Sequence, residues 1–104
     1  MAKHYDLSDL SDRSTETRLR RELTKRVYRI DFAERAHGWT VADVYAYACE
    51  SLGVATALAY LSGDTEECQE WKRRIRVALH EGTRRLGGKP KALPVSVNPN
   101  PPRE

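Results

Sequence analysis

Apolar residues recur through the middle of this chain at helical intervals. Leu19, Leu23, Val27 and Ile30 stand four, four and three positions apart, which places them within about an 80° sector of one helix. Ser14 or Thr15 is placed to cap that helix, and Gly38 to end it. A second segment opens with Thr40-Val41-Ala42-Asp43. This is a capping-box pattern, in which the threonine hydroxyl and the aspartate carboxylate satisfy amides exposed at a helix start. Val41, Val44, Tyr45, Ala48 and Leu52 follow on one side, and Val54, Leu58 and Leu61 continue the apolar run with few charges on any face. The pattern predicts that residues 40–62 are the most buried part of the molecule, as one long helix or as two broken near Gly53. A last helix begins after Gly63, capped by Asp64 or Thr65. Its inward stripe is Cys68, Trp71, Ile75, Ala78, Leu79, Gly82 and Leu86, with Gly82 small enough to admit a neighbouring helix at close range.

No window sustains the alternation of a strand, so the fold class is all-α, a small bundle of three or four helices. The ends differ in composition from the middle. All five prolines (Pro90, Pro94, Pro99, Pro101 and Pro102) follow Gly87-Gly88, and proline cannot continue a helix. The expected organisation is an N-terminal arm over residues 1–13, one helical domain over 14–87 and a proline-rich, disordered C-terminal tail over 88–104.

Composition narrows the function classes. A chain of 104 residues suits one domain with a modest core and no large internal cavity. Its longest nearly charge-free run, residues 51–63, falls short of the roughly 20 apolar residues that cross a bilayer, and no apolar signal segment opens the chain. A cytoplasmic protein without a membrane partner is expected. Cys49 and Cys68 are too few for a disulfide framework and read as reduced thiols in the core. Neither they nor His37 and His80 have metal-ligand spacing, so no metal and no cofactor are expected. There is no phosphate-binding glycine loop, no nucleophile motif and no acid–base pair, which predicts a protein that is not an enzyme. His37 reads as a charge at the end of the first helix, and Trp39 and Trp71 as anchors of the core.

The charge pattern is more informative. There are 18 Lys+Arg against 15 Asp+Glu, a net charge of +3. On the last helix Gln69, Arg73, Arg76, His80 and Arg84 share one outward face, a row about 22 Å long at 1.5 Å per residue. The wheel sets Glu67, Glu70 and Glu81 on another side, which predicts a cationic ridge free of carboxylates and matched to successive phosphates. On the first helix Arg18, Arg21, Lys25 and Arg29 cluster with Tyr28 and Phe32. Such a mixture is compatible with stacking on bases, but it reads first as a packing face or homodimer seam built on Tyr28 and Phe32. Glu16–Arg20, Glu22–Arg26 and Asp31–Arg35 are ordinary acid-before-base pairs that support the helix itself. A helix-turn-helix at residues 47–54 is disfavoured, because residues 55–61 offer only Thr56 and Tyr60 to base edges.

The first expectation is therefore a small non-catalytic binder of DNA or RNA, or an accessory regulator, using these basic faces. The alternative is a helical interaction module, such as an assembly factor, inhibitor or virion component, that docks on an acidic protein partner through the Tyr28–Phe32 face.

Overall fold

The computed structural model describes residues 13–89 and residue 93. Among them the chain forms three α-helices, α1 (Arg13–Asp31), α2 (Val41–Ser62) and α3 (Thr65–Arg85), with a 3-10 turn at Ala33–Arg35 between the first two. Every pair of helices packs together. The all-α reading holds, and the helix count settles at three. The N-terminal arm up to residue 12 and the proline-rich tail, Gly88, Lys89 and Leu93 apart, lie outside the described residues.

The helix starts follow local chemistry. Thr40 Oγ1 accepts from the Asp43 amide at 3.1 Å, and the Asp43 carboxylate accepts from the Thr40 amide at 2.9 Å, so the predicted capping box is complete. Asp64 caps α3 by accepting from the Glu67 amide at 2.8 Å. Gly63 ends α2 with φ of 77°, a conformation in which a side chain would be strained. At the far end of α3, Gly88 donates to the Thr83 carbonyl and Gly87 to that of Arg84, the paired bonds of a Schellman turn with Gly87 at φ of 84°.

Four expectations about the helices need correction. α1 stops at Asp31 and does not run to Gly38. A tertiary contact sets this end, because Arg85 donates to the otherwise unpaired Asp31 carbonyl at 2.6 Å, and the next residues tighten into the 3-10 turn that buries Ala33. His37 therefore lies beyond α1, in the loop, and not at its last turn. Ser14 and Thr15 lie inside α1, which already includes Arg13. α2 is one unbroken helix through Gly53, the first of the two alternatives, which removes the helix-turn-helix reading. Although its charge-free run falls short, the whole 22-residue helix is by length and composition long and apolar enough to cross a membrane, and it contributes buried residues to the bundle core.

α2 is also less buried than expected. It buries six residues and α3 buries eight. A three-helix bundle leaves each helix one outward face, and on α2 the exposed residues are mostly small, together with Asp43, Glu50 and Tyr60, the last 88% exposed. The core is drawn from all three helices: Leu23 and Ile30 from α1, Val44, Ala48, Leu52, Ala55 and Leu58 from α2, and Cys68, Trp71, Ile75, Ala78 and Leu79 from α3. α1 and α3 meet most closely at Gly82, where an added Cβ would collide with the Ile30 carbonyl oxygen.

Polar links tie α1 to both neighbours. Arg20 makes a two-pronged pair with Glu67 of α3 at 2.8 and 2.9 Å, and Trp71 donates to the same carboxylate at 3.1 Å. Arg26 pairs with Glu22, donates to Ser51 Oγ at 3.1 Å and lies 4.5 Å from the Tyr47 ring centroid, joining α1 to α2. Cys68 is buried and Cys49 half-buried, and both are free thiols.

Candidate nucleic-acid interface

The α3 row is exposed along its whole length, from Gln69 through Arg73, Arg76 and His80 to Arg84. It is not free of carboxylates, and the predicted ridge must be corrected. Arg73 makes a two-pronged pair with Glu70 at 3.1 and 2.6 Å, Arg84 bonds Glu81, and His80 Nδ1 lies 3.8 Å from the Glu81 carboxylate. Positions three apart on a helix are separated by only about 60°, and a glutamate side chain spans that arc easily. Glu67 does point elsewhere, toward Arg20. Arg76 makes no ion pair with another described residue.

The titration behaviour agrees with this pairing. Hydrogen bonds from Arg73, and then Arg74, hold the Glu70 carboxyl down at about 2, so it stays ionised and attached throughout the ordinary pH range. A hydrogen bond from Arg84 lowers Glu81. The surface depression beside Arg73 and Arg76 is bordered by Glu66 and Glu70 as well, which makes it a mixed-sign surface.

A different surface concentrates positive charge. α1 carries seven basic residues against three acidic, α3 six against four, and α2 none against two. On α1, Arg18, Arg21, Lys25 and Arg29 are exposed and make no ion pair with another described residue. The third expected pair of this helix does not form. Asp31 is taken by Arg85 at 3.0 Å, and Arg35 turns instead over the Phe32 ring, 5.0 Å from its centroid. The other two pairs are present, Arg20 to Glu16 at 3.7 Å and Arg26 to Glu22 at 2.9 Å.

Lys25, Arg29 and Arg35 edge a groove of about 760 Å³ where the end of α1 meets the loop to α2. Its lining is Thr24, Lys25, Tyr28, Arg29, Phe32, Arg35, Ala36, His37 and Trp39. Three side chains in it are cationic, one is an imidazole, three are aromatic, and no carboxylate is among them. Tyr28 is 57% exposed, and its ring lies 4.8 Å from that of Phe32 at a 42° tilt. Phe32 is half-buried and held by Arg35 and Arg85, each 5.0 Å from its centroid. Trp39 stands edge-on to Tyr47 at 5.2 Å, with the Arg29 guanidinium 5.9 Å from its ring.

The structure thus separates the predicted site residues into two groups. Lys25, Arg29, Tyr28 and Phe32 converge in the groove, and Arg18 and Arg21 continue the same helix. The α3 set remains a row, partly neutralised. Arg35 and His37 belong to the groove although the chain pattern assigned them to an ion pair and a helix end, and Trp39 lines it while also packing against the core as expected. Their signal was proximity, since all three fall within eight residues of Phe32 in the connection after α1. Among the described residues no three His, Cys, Asp or Glu side chains converge to hold a metal ion. The chain matches no family model, no curated protein and no solved structure.

Proposed function

We propose that this is a small non-catalytic nucleic-acid-binding protein that contacts phosphates through α1 and the connection following it. One observation carries the reading: a groove in which Lys25, Arg29 and Arg35 stand beside three aromatic rings with no carboxylate among the lining residues. Unpaired guanidinium and ammonium groups displace counterions from a polyanion, and arginine adds bidentate contacts to phosphate oxygens. Arg18 and Arg21 lengthen the positive surface along α1. On α3, Arg76 and Gln69 are the secondary contacts, because Arg73 and Arg84 already share their charge with glutamates.

Salt dependence tests this reading. Fluorescence anisotropy with mixed DNA and RNA fragments should show affinity falling steeply from low to physiological ionic strength. Replacing Lys25 and Arg29 with alanine should reduce the log–log slope by roughly 0.7–0.9 per cation removed. The Arg73→Ala/Arg84→Ala variant should change it less. Absence of binding at low salt, or a slope indifferent to Lys25 and Arg29, would remove the proposal.

The exposure of Tyr28 favours a second reading, a helical module that docks on an acidic protein or on a second copy of itself. Its signature is a complex held by the aromatic anchor and little affected by salt. Light scattering of Tyr28→Ala/Phe32→Ala, with the oligomeric state unchanged, would eliminate the self-association form.

A further inference from the structure

We propose that the groove beside Tyr28 receives an unstacked base, so that the preferred ligand is a single strand of nucleic acid. This rests on the phosphate-binding reading above and narrows it. The groove of about 760 Å³ is a recess open to solvent and large enough to admit a base.

The aromatic residues divide the work. Phe32 is clamped between the helix end and the guanidiniums of Arg35 and Arg85, and Trp39 is fixed against Tyr47. Tyr28, which touches Phe32 on one side, is the most exposed ring of the three at 57%, on the same helix as Lys25 and Arg29, at positions three before and one after it. A base laid on Tyr28 places its own phosphate within the field of those cations. Duplexes keep their base faces stacked and offer no π-surface to Tyr28, whereas single strands expose one at every nucleotide. Charge complementarity selects the same occupant: the lining has positive side chains and no negative one, and the ligand must combine an anionic chain with flat rings. An acidic peptide supplies the charge but offers rings only where it carries aromatic side chains, whereas a nucleic acid pairs every phosphate with one.

Anisotropy titrations at low salt with four probes decide the matter: oligo(dT), a duplex of the same length, an abasic strand with the same number of phosphates, and poly-glutamate. Oligo(dT) should bind about tenfold or more tighter than the abasic strand. Tyr28→Ala should abolish that difference while leaving the abasic strand's affinity and the salt slope unchanged, and Tyr28→Phe should retain it. Because Tyr28 is exposed, circular dichroism should show native helix content in both variants. Equal affinity for base-bearing and abasic strands, a preference for duplex, or poly-glutamate binding as tightly as oligo(dT) would each overturn the base-stacking proposal. The first two would leave phosphate binding standing. Failure of every probe to bind would instead defeat the underlying nucleic-acid reading.

Discussion

Gly82 shows how far one atom matters in a bundle this small. Its absent side chain lets α3 approach α1 until the Ile30 carbonyl oxygen occupies the place of a Cβ. Gly82→Ala gains helix propensity but forces the two helices apart, and overpacking at a rigid backbone contact costs about 1–3 kcal/mol. The variant should unfold at lower denaturant concentration than the parent, and an unchanged midpoint would show that the helices separate freely. Gly53 is the contrasting case, since it lies inside α2 and a methyl group added there would meet nothing within 4 Å. Gly53→Ala should therefore stabilise the protein by about 0.5–1 kcal/mol in chemical denaturation. The chain pattern marked Gly82 as a close approach, which holds, and left open whether the second helix breaks near Gly53; it runs through, because the packing of the turns on either side settles whether a glycine interrupts a helix.

At the scale of elements, the junction of α1 with α3 is chemically the most specific. Glu67 accepts from Arg20 and Trp71, and the hydrogen bonds from Arg20 and then Trp71 lower its pKa below the ordinary glutamate value of 4.5. A carboxylate with a depressed folded-state pKa stabilises the fold fully above its unfolded value, and that stability disappears as pH falls through the lower folded value. Glu67→Gln should thus be less stable than the parent at neutral pH, by about 1 kcal/mol after allowance for solvent screening of Arg20, and the gap should close in acid below pH 4.5. Urea titrations of both proteins at several pH values check this, and a gap independent of pH would contradict it. The helices themselves were readable: the stripes on α1 and α3, the capping box of α2 and the stop at Gly63 all follow from local pattern. The end of α1 was not. Arg85 lies 54 positions from Asp31, and no window along the chain contains both.

For the whole molecule the decisive property is where charge remains unpaired. A net charge of +3 spread evenly would give weak attraction to any polyanion. The α1 segment instead holds the largest positive excess by composition, and Glu70 and Glu81 pair onto the α3 row. The connection after α1 then adds Arg35, His37 and Trp39 to the groove. By itself the sequence determined the fold class, the inward stripes and most helix caps, because those depend on residues within one or two turns of each other. The pairing of Arg73 with Glu70 and of Arg84 with Glu81 is also local, three positions apart on α3, but tertiary structure decided which cations line the groove. Arg85 takes Asp31, which leaves Arg35 to lie over Phe32 in the groove, and a choice among partners distant in sequence is settled only when the helices pack.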